Sequence, residues 1–196
     1  MKIKNLILFV FFFIFSFNHI AFSKEPGKFI EEITSEASSI LASEDSKENK
    51  ILKLKKIAEK SVDIVGIGLY SLGNHRKTIN SDQKKTYNKL FREYFLKSFS
   101  NRLVDYSDPK IEIQSEEKVS DKYTIVRSLL VATDKRPEVK LDWRVYTKDP
   151  KNPLIRDLVI EGLSLARTQK EEFNSIIVSN NNNLDALFNN LREFTK

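Results

Sequence analysis

The sequence predicts an α+β domain, a curved antiparallel sheet of about four strands with helices packed on one face. Three observations carry this. Apolar residues recur at helical spacing up to Leu103 and again from Gln169, whereas from Ile111 to Leu165 they mostly alternate with period two. The links between the alternating runs are polar, as hairpins require. Helices, strands and helices follow one another in blocks rather than in βαβ alternation, which argues against a doubly wound fold.

The folded part is expected to begin after residue 23. Lys2 and Lys4 precede an apolar run from Leu6 to Phe17, broken only by Ser16, and Ala21-Phe22-Ser23 places small residues where a signal peptidase reads. Bilayer-spanning helices need about 20 apolar residues, so the run reads as a cleaved secretory signal peptide, residues 1–23, and residues 24–196 as one domain. Its removal leaves 173 of the 196 residues and lowers the formal charge from +6 to +4, because Lys2 and Lys4 are lost. The chain has no Cys, so neither disulfides nor thiolate metal sites hold it, and a core of ordinary size must do so. Export removes nucleic acid from the partner list and leaves membrane surfaces, lipids and envelope proteins to match the positive charge.

Taken in order, Phe29, Ile33, Ala37, Ile40 and Leu41 mark a first helix over Lys28 to Leu41, with Pro26 near its first turn. Ala42 to Asn49 is a polar connector, and Ile51, Leu54, Ile57 and Ala58 mark a second helix with lysines on its wet face. From Asp63 to Leu72, Val62, Val65, Leu69 and Leu72 form a stripe, and Gly73 sits where a helix ends. Gly66 and Gly68 cost about 1 kcal/mol each inside a helix, so that face is expected to meet a close neighbour or a ligand. Asn80-Ser81-Asp82 offers an N-cap for a long helix on which Tyr87, Phe91, Phe95 and Phe99 repeat every four residues, with Leu90, Tyr94 and Leu103 beside them.

The strands are Ile111 with Ile113, then Tyr123 to Ala132, then Val139, Leu141, Trp143 and Val145 in alternation, and last Leu154 to Leu165, which is apolar enough to be central. Glu116 to Lys122, Asp134 to Pro137 and Lys148 to Pro153 read as the connections. Phe173, Ile176 and Ile177 begin a further helix, and Leu184, Leu187, Phe188, Leu191 and Phe194 define the last one after the Asn180 to Asn183 loop.

No GxSxG, CxxC, HExxH or phosphate-binding glycine loop is present. His75 is the single histidine after residue 23 and lies in a polar loop. Asp142, Asp157 and Glu161 stand in apolar strands near Arg144, Arg156 and Arg127, which suits structural ion pairs better than a glycosidase dyad. The expected activity is binding rather than catalysis, with no cofactor and no metal.

Phe91-Arg92-Glu93-Tyr94-Phe95, Thr124-Ile125-Val126-Arg127, Leu141-Asp142-Trp143-Arg144-Val145 and Ile160-Glu161-Gly162-Leu163-Ser164, in this order, resemble the MlaC (toluene-tolerance) family of periplasmic phospholipid-binding proteins. Leu72-Gly73 and Thr168 to Phe173 extend the resemblance over Val62 to Phe194. The resemblance implies helices and sheet enclosing an apolar pocket, and a monomeric periplasmic carrier of phospholipid. It also implies two partners, an inner-membrane ABC lipid transporter complex and an outer-membrane lipoprotein complex.

Its lipid-binding residues are expected to be Val65, Leu69, Leu72, Phe91, Tyr94, Phe95, Phe99, Val126, Leu141, Trp143, Val145, Val159 and Leu163. Arg76, Lys77 and Arg127 are expected at the head group or the docking surface. An accessory factor or enzyme of isoprenoid (hopanoid) lipid metabolism on the same scaffold is the alternative.

Overall fold

The computed structural model describes residues 25–134 and 136–196, and the expected signal peptide lies outside them. Among the described residues, six α-helices surround one antiparallel sheet of five strands in the order β1-β2-β3-β4-β5. The helices are α1 (Pro26–Ala42), α2 (Lys47–Ser61), α3 (Ile64–Ser71), α4 (Ser81–Leu103), α5 (Leu165–Ser179) and α6 (Leu184–Thr195). The strands are β1 (Ile111–Ser120), β2 (Tyr123–Leu130), β3 (Val139–Tyr146), β4 (Leu154–Ile160) and β5 (Leu163–Ser164). No helix is long and apolar enough to cross a membrane, and no group of three His, Asp or Glu could hold a metal, among the described residues.

Local chemistry sets the helix ends. Ser46 caps α2 by accepting from Asn49 N, which shortens the expected connector, and Asn80 and Gln83 form a reciprocal capping box at the start of α4. Gly73 closes α3 with φ +56°, a left-handed conformation that favours glycine. A short 3-10 helix, Gly73–Lys77, follows.

Two sheet features and one helix start depart from the expected layout. Glu116 to Lys122 is not a loop, since β1 continues through Ser120 as a solvated edge strand paired with β2. The last expected strand is a hairpin. Glu161 and Gly162 both take positive φ (48° and 84°), turning the chain in two residues so that Leu163 pairs back onto Ile160. Ser164 then accepts from Arg167 N as the N-cap of α5, which therefore starts four residues before Gln169.

Buried Asp157 holds this corner together, accepting from Ser164 Oγ at 2.6 Å and Ala166 N at 3.0 Å, with Arg144 Nη1 at 3.6 Å. One residue earlier in β4, Arg156 Nε donates to Asp63 Oδ2 at 2.6 Å, and the same carboxylate caps α3 through Gly66 N. The guanidinium also bonds Tyr123 and lies 3.5 Å over the Tyr146 ring. The α2–α3 junction is thus tied to the sheet, and Asp63 N donates to Ile155 O at 2.9 Å beside it. Of the three acid–base pairings expected in the strands, Arg144 meets Asp157, but Arg156 takes Asp63 and Arg127 takes Glu117.

One cluster of buried side chains joins all layers, from Phe29 and Ile30 of α1 through Phe91 of α4 and Phe173 of α5 to Val126, Val145 and Ile155 of the sheet. The close approaches to the sheet are made by α1 on β1 and β2 and by α2, α3 and α5 on β4. The long aromatic helix α4 instead packs on α2, α3 and α6.

Candidate functional site

Pairing defines the face of the sheet that looks into the molecule, because directly opposed residues share a side. Val126 opposes Trp143, Ser128 opposes Leu141 and Thr124 opposes Val145. Trp143 in turn opposes Leu158, and Leu141 opposes Ile160. Val126 and Val145 are fully covered, whereas Ile113, Trp143, Leu158 and Ile160 on this same face stay partly exposed. The Trp143 Nε1–H donates to Ser128 Oγ at 2.9 Å, fixing the indole on the sheet and satisfying the hydroxyl.

The aromatic row of α4 has two halves. Its N-terminal half is sealed. Tyr87 and Phe91 are buried, and α3 comes so near that a Cβ on Gly68 would stand 2.7 Å from Phe91 Cδ1. The two glycines therefore differ, since Gly68 admits a helix while Gly66 lies over the Asp63 cap. The Tyr87 hydroxyl donates to Gly68 O at 2.9 Å, and burial pushes its pKa well above the usual phenol value, so it stays protonated. Tyr87→Phe removes one of the two donors to Gly68 O, which keeps the Leu72 N–H at 3.2 Å, and is expected to cost about 0.5–1.5 kcal/mol, read as a lower urea midpoint with the slope unchanged.

The C-terminal half is looser. Phe95 and Phe99 stack at 5.9 Å with their planes 9° apart, and both remain partly exposed while touching the core cluster. Tyr94 turns away from this pair toward α5 and α6. It lies 4.8 Å from the Phe194 ring and donates to Gln169 Oε1 at 2.8 Å. Burial raises its pKa.

The structure gathers Leu72, Phe91, Val126, Leu141 and Val145 in the interior and Trp143, Phe95 and Phe99 at its partly open margin. Leu69 is half-buried on α3. Four expected site residues lie elsewhere. Val65 is 54% exposed, because the buried stripe of α3 runs through Ile64, Ile67, Gly68 and Ser71. Leu163 is 59% exposed in the hairpin β5.

Val159 pairs with Asp142 on the opposite side of the sheet from Trp143. The cause is a bulge at Arg156, where Arg144 pairs with Asp157 but Val145 pairs with Ile155. One extra residue reverses the alternation, so Leu158 and Ile160 take the inward places that simple alternation gives to 157 and 159. Arg127 lies on that outer face too and donates to Glu117 at 2.5 Å, while Arg76 and Lys77 are exposed in the 3-10 helix after α3. An open cleft of about 770 Å³ between α5 and α6, walled by Asn180, Asn181, Asn183, Asn189 and Asn190, includes none of the expected lipid-binding residues.

The sequence model of the MlaC family, described as MlaC protein, matches residues 31–193. The chain belongs to the MlaC family. No curated protein matches it. Among solved structures, it is similar to the phospholipid-binding protein from Ralstonia solanacearum in complex with a phospholipid. The two share a TM-score of 0.73 at 17% identity, over 88% of this chain and 97% of the other, so the likeness is one of fold.

Several motif residues that mark the chain as MlaC-like serve its framework. Arg92 pairs with Glu59 and ties α4 to α2, and Arg144 reaches Asp157. Glu161-Gly162 makes the hairpin turn and Ser164 caps α5. Phe95 and Trp143, from the same motifs, are left at the open margin.

Proposed function

We propose that this MlaC-family chain is a phospholipid carrier rather than an enzyme, and that acyl chains lie between the Phe95–Phe99 half of α4 and the sheet face bearing Trp143, Leu158 and Ile160. The observation that supports this most is incomplete burial: apolar side chains at inward positions of the sheet stay half-covered, and the close backbone approaches of α4 are to other helices, while Phe95 and Phe99 meet the core from a partly exposed position. The family match and the phospholipid bound to a protein of the same fold favour the same reading.

Energetics constrain how such a carrier works. Covering a methylene is worth about 0.8 kcal/mol relative to water, so two chains of about 16 carbons would give about 25 kcal/mol gross, beyond the practical ceiling of about 18–21 kcal/mol. The comparison that matters is with a bilayer, in which the tails are already dry. Loading and release then need only a small net free energy, with the α4 half separating from the sheet to admit the tails. Direction must come from partners. In this reading these are an inner-membrane ABC lipid transporter complex and an outer-membrane lipoprotein complex, met by a monomer in the periplasm after cleavage behind Ser23.

Purification from the periplasm of an expressing cell, followed by intact mass and lipid mass spectrometry, tests this directly. The expected result is a chain beginning at Lys24 with phospholipid in near-stoichiometric amount. A hopanoid as the major lipid, or protein free of lipid, would overturn the carrier reading.

A further inference from the structure

We propose that Arg136 receives the phosphate of the carried lipid, an assignment that rests on the carrier reading and goes beyond it by placing the head group. Arg136 lies in the β2–β3 connection, which is closed by reciprocal backbone bonds between Thr133 and Arg136 at 2.8 and 3.1 Å. Its guanidinium lies 5.5 Å over the Tyr106 ring, and Nη2 donates to Val131 O at 3.3 Å. The side chain is therefore held in place from two directions.

Its Nε is nevertheless buried without a hydrogen-bond partner, and no carboxylate among the described residues pairs with it. A guanidinium carries five N–H donors, and a buried charged donor left unmatched is costly enough that native structures seldom keep one without a purpose. An acceptor supplied by a ligand resolves this. A phosphate diester offers two oxygens at the spacing of the guanidinium fork.

The position fits the proposed slot. Tyr106 follows α4 directly, its N–H bonding Leu103 O, and Val131 follows the inward-facing Leu130 while its N–H bonds Lys110 O. Arg136 thus stands where the end of α4 meets the end of the sheet. The adjoining inward positions there, Ile111 and Val139, both pair with Leu130 and are half-covered. A phosphate held at this point sends its tails along the inner face toward Trp143. The basic residues expected from sequence are less well placed. Arg127 is occupied by Glu117 on the outer face, and Arg76 and Lys77 follow α3, which packs on β4 and α5.

The test uses the full mature chain, stripped of lipid, as wild type, Arg136→Gln and Arg136→Lys, with circular dichroism to check folding. Each is incubated with vesicles carrying phosphatidylglycerol or with diacylglycerol dispersions, and bound lipid is measured. Expected is a preference of wild type for phosphatidylglycerol, reduced about tenfold in Arg136→Gln and less in Arg136→Lys, with diacylglycerol uptake unchanged. Equal phosphatidylglycerol uptake by wild type and Arg136→Gln would overturn the assignment and leave the carrier standing. Loss of both lipids in Arg136→Gln would also overturn it, as the sign of a structural role. Failure of wild type to take up either lipid would overturn the carrier reading itself. A parallel arm adds inorganic phosphate alone. Thermal stabilisation of wild type but not Arg136→Gln by phosphate, without any phosphatidylglycerol preference, would mark a free-phosphate site and overturn the lipid version.

Discussion

Trp143→Glu is expected to purify with at least about tenfold less lipid than wild type, because a carboxylate on the inner sheet face would be desolvated by acyl chains without a partner, at a cost of several kcal/mol. Trp143 is suited to the test. It opposes Val126 and Leu158 across the sheet but is itself only partly covered, so the variant places its charge at the margin rather than in the sealed core. Two controls separate the possible causes. Trp143→Phe removes the bond to Ser128 while keeping an apolar ring, and should retain lipid. Leu163→Glu alters a residue that is 59% exposed in β5 and should retain lipid fully. Lipid mass spectrometry on all three gives the answer. Retention by Trp143→Glu at the wild-type level, in a folded chain, would remove the slot from this face.

Phe91→Ala is expected to have the largest effect on stability. The ring is buried and stands within about 6 Å of four other rings, Tyr87, Tyr94, Phe95 and Phe173, as well as against Gly68. Removing a buried phenylalanine costs about 3–5 kcal/mol, which for a domain of this size lowers Tm by about 6–20 °C. Gly68→Ala in the wild-type background should cost about 1–3 kcal/mol, since its new methyl meets the ring edge. In the Phe91→Ala background that methyl enters vacated space, so the double variant should lose clearly less than the sum. Calorimetry on the four proteins decides it, and strict additivity would show that α3 and α4 do not meet as described.

The order of helices and strands was legible because each element carries its own periodicity and punctuation. Asn80-Ser81-Asp82 reads as the N-cap region of α4, and Gly73 as a helix end, from local chemistry alone, whereas the reciprocal bond from Gln83 appears only in the structure. Errors arose where long-range pairing overrides local texture. Glu116 to Ser120 has the composition of a loop, yet it becomes a strand because β2 offers it a ladder of partners. Leu154 to Leu165 looks continuous, yet Glu161-Gly162 folds it back. Arg136 carried no signal at all, since its meaning depends on Tyr106, thirty positions earlier in the chain, and on a donor left unmatched.

The sequence by itself determined the class of fold, the aromatic helix, the apolar face of β2 and β3, and the family, since these depend on spacing within single segments. Only the tertiary structure decided which apolar residues are sealed and which remain at an open margin. That outcome turns on a single-residue bulge in β4 and on α3 pressing Gly68 against Phe91. The physical reason is that periodicity fixes which residues share a face, while coverage of that face is set by neighbours brought from far along the chain.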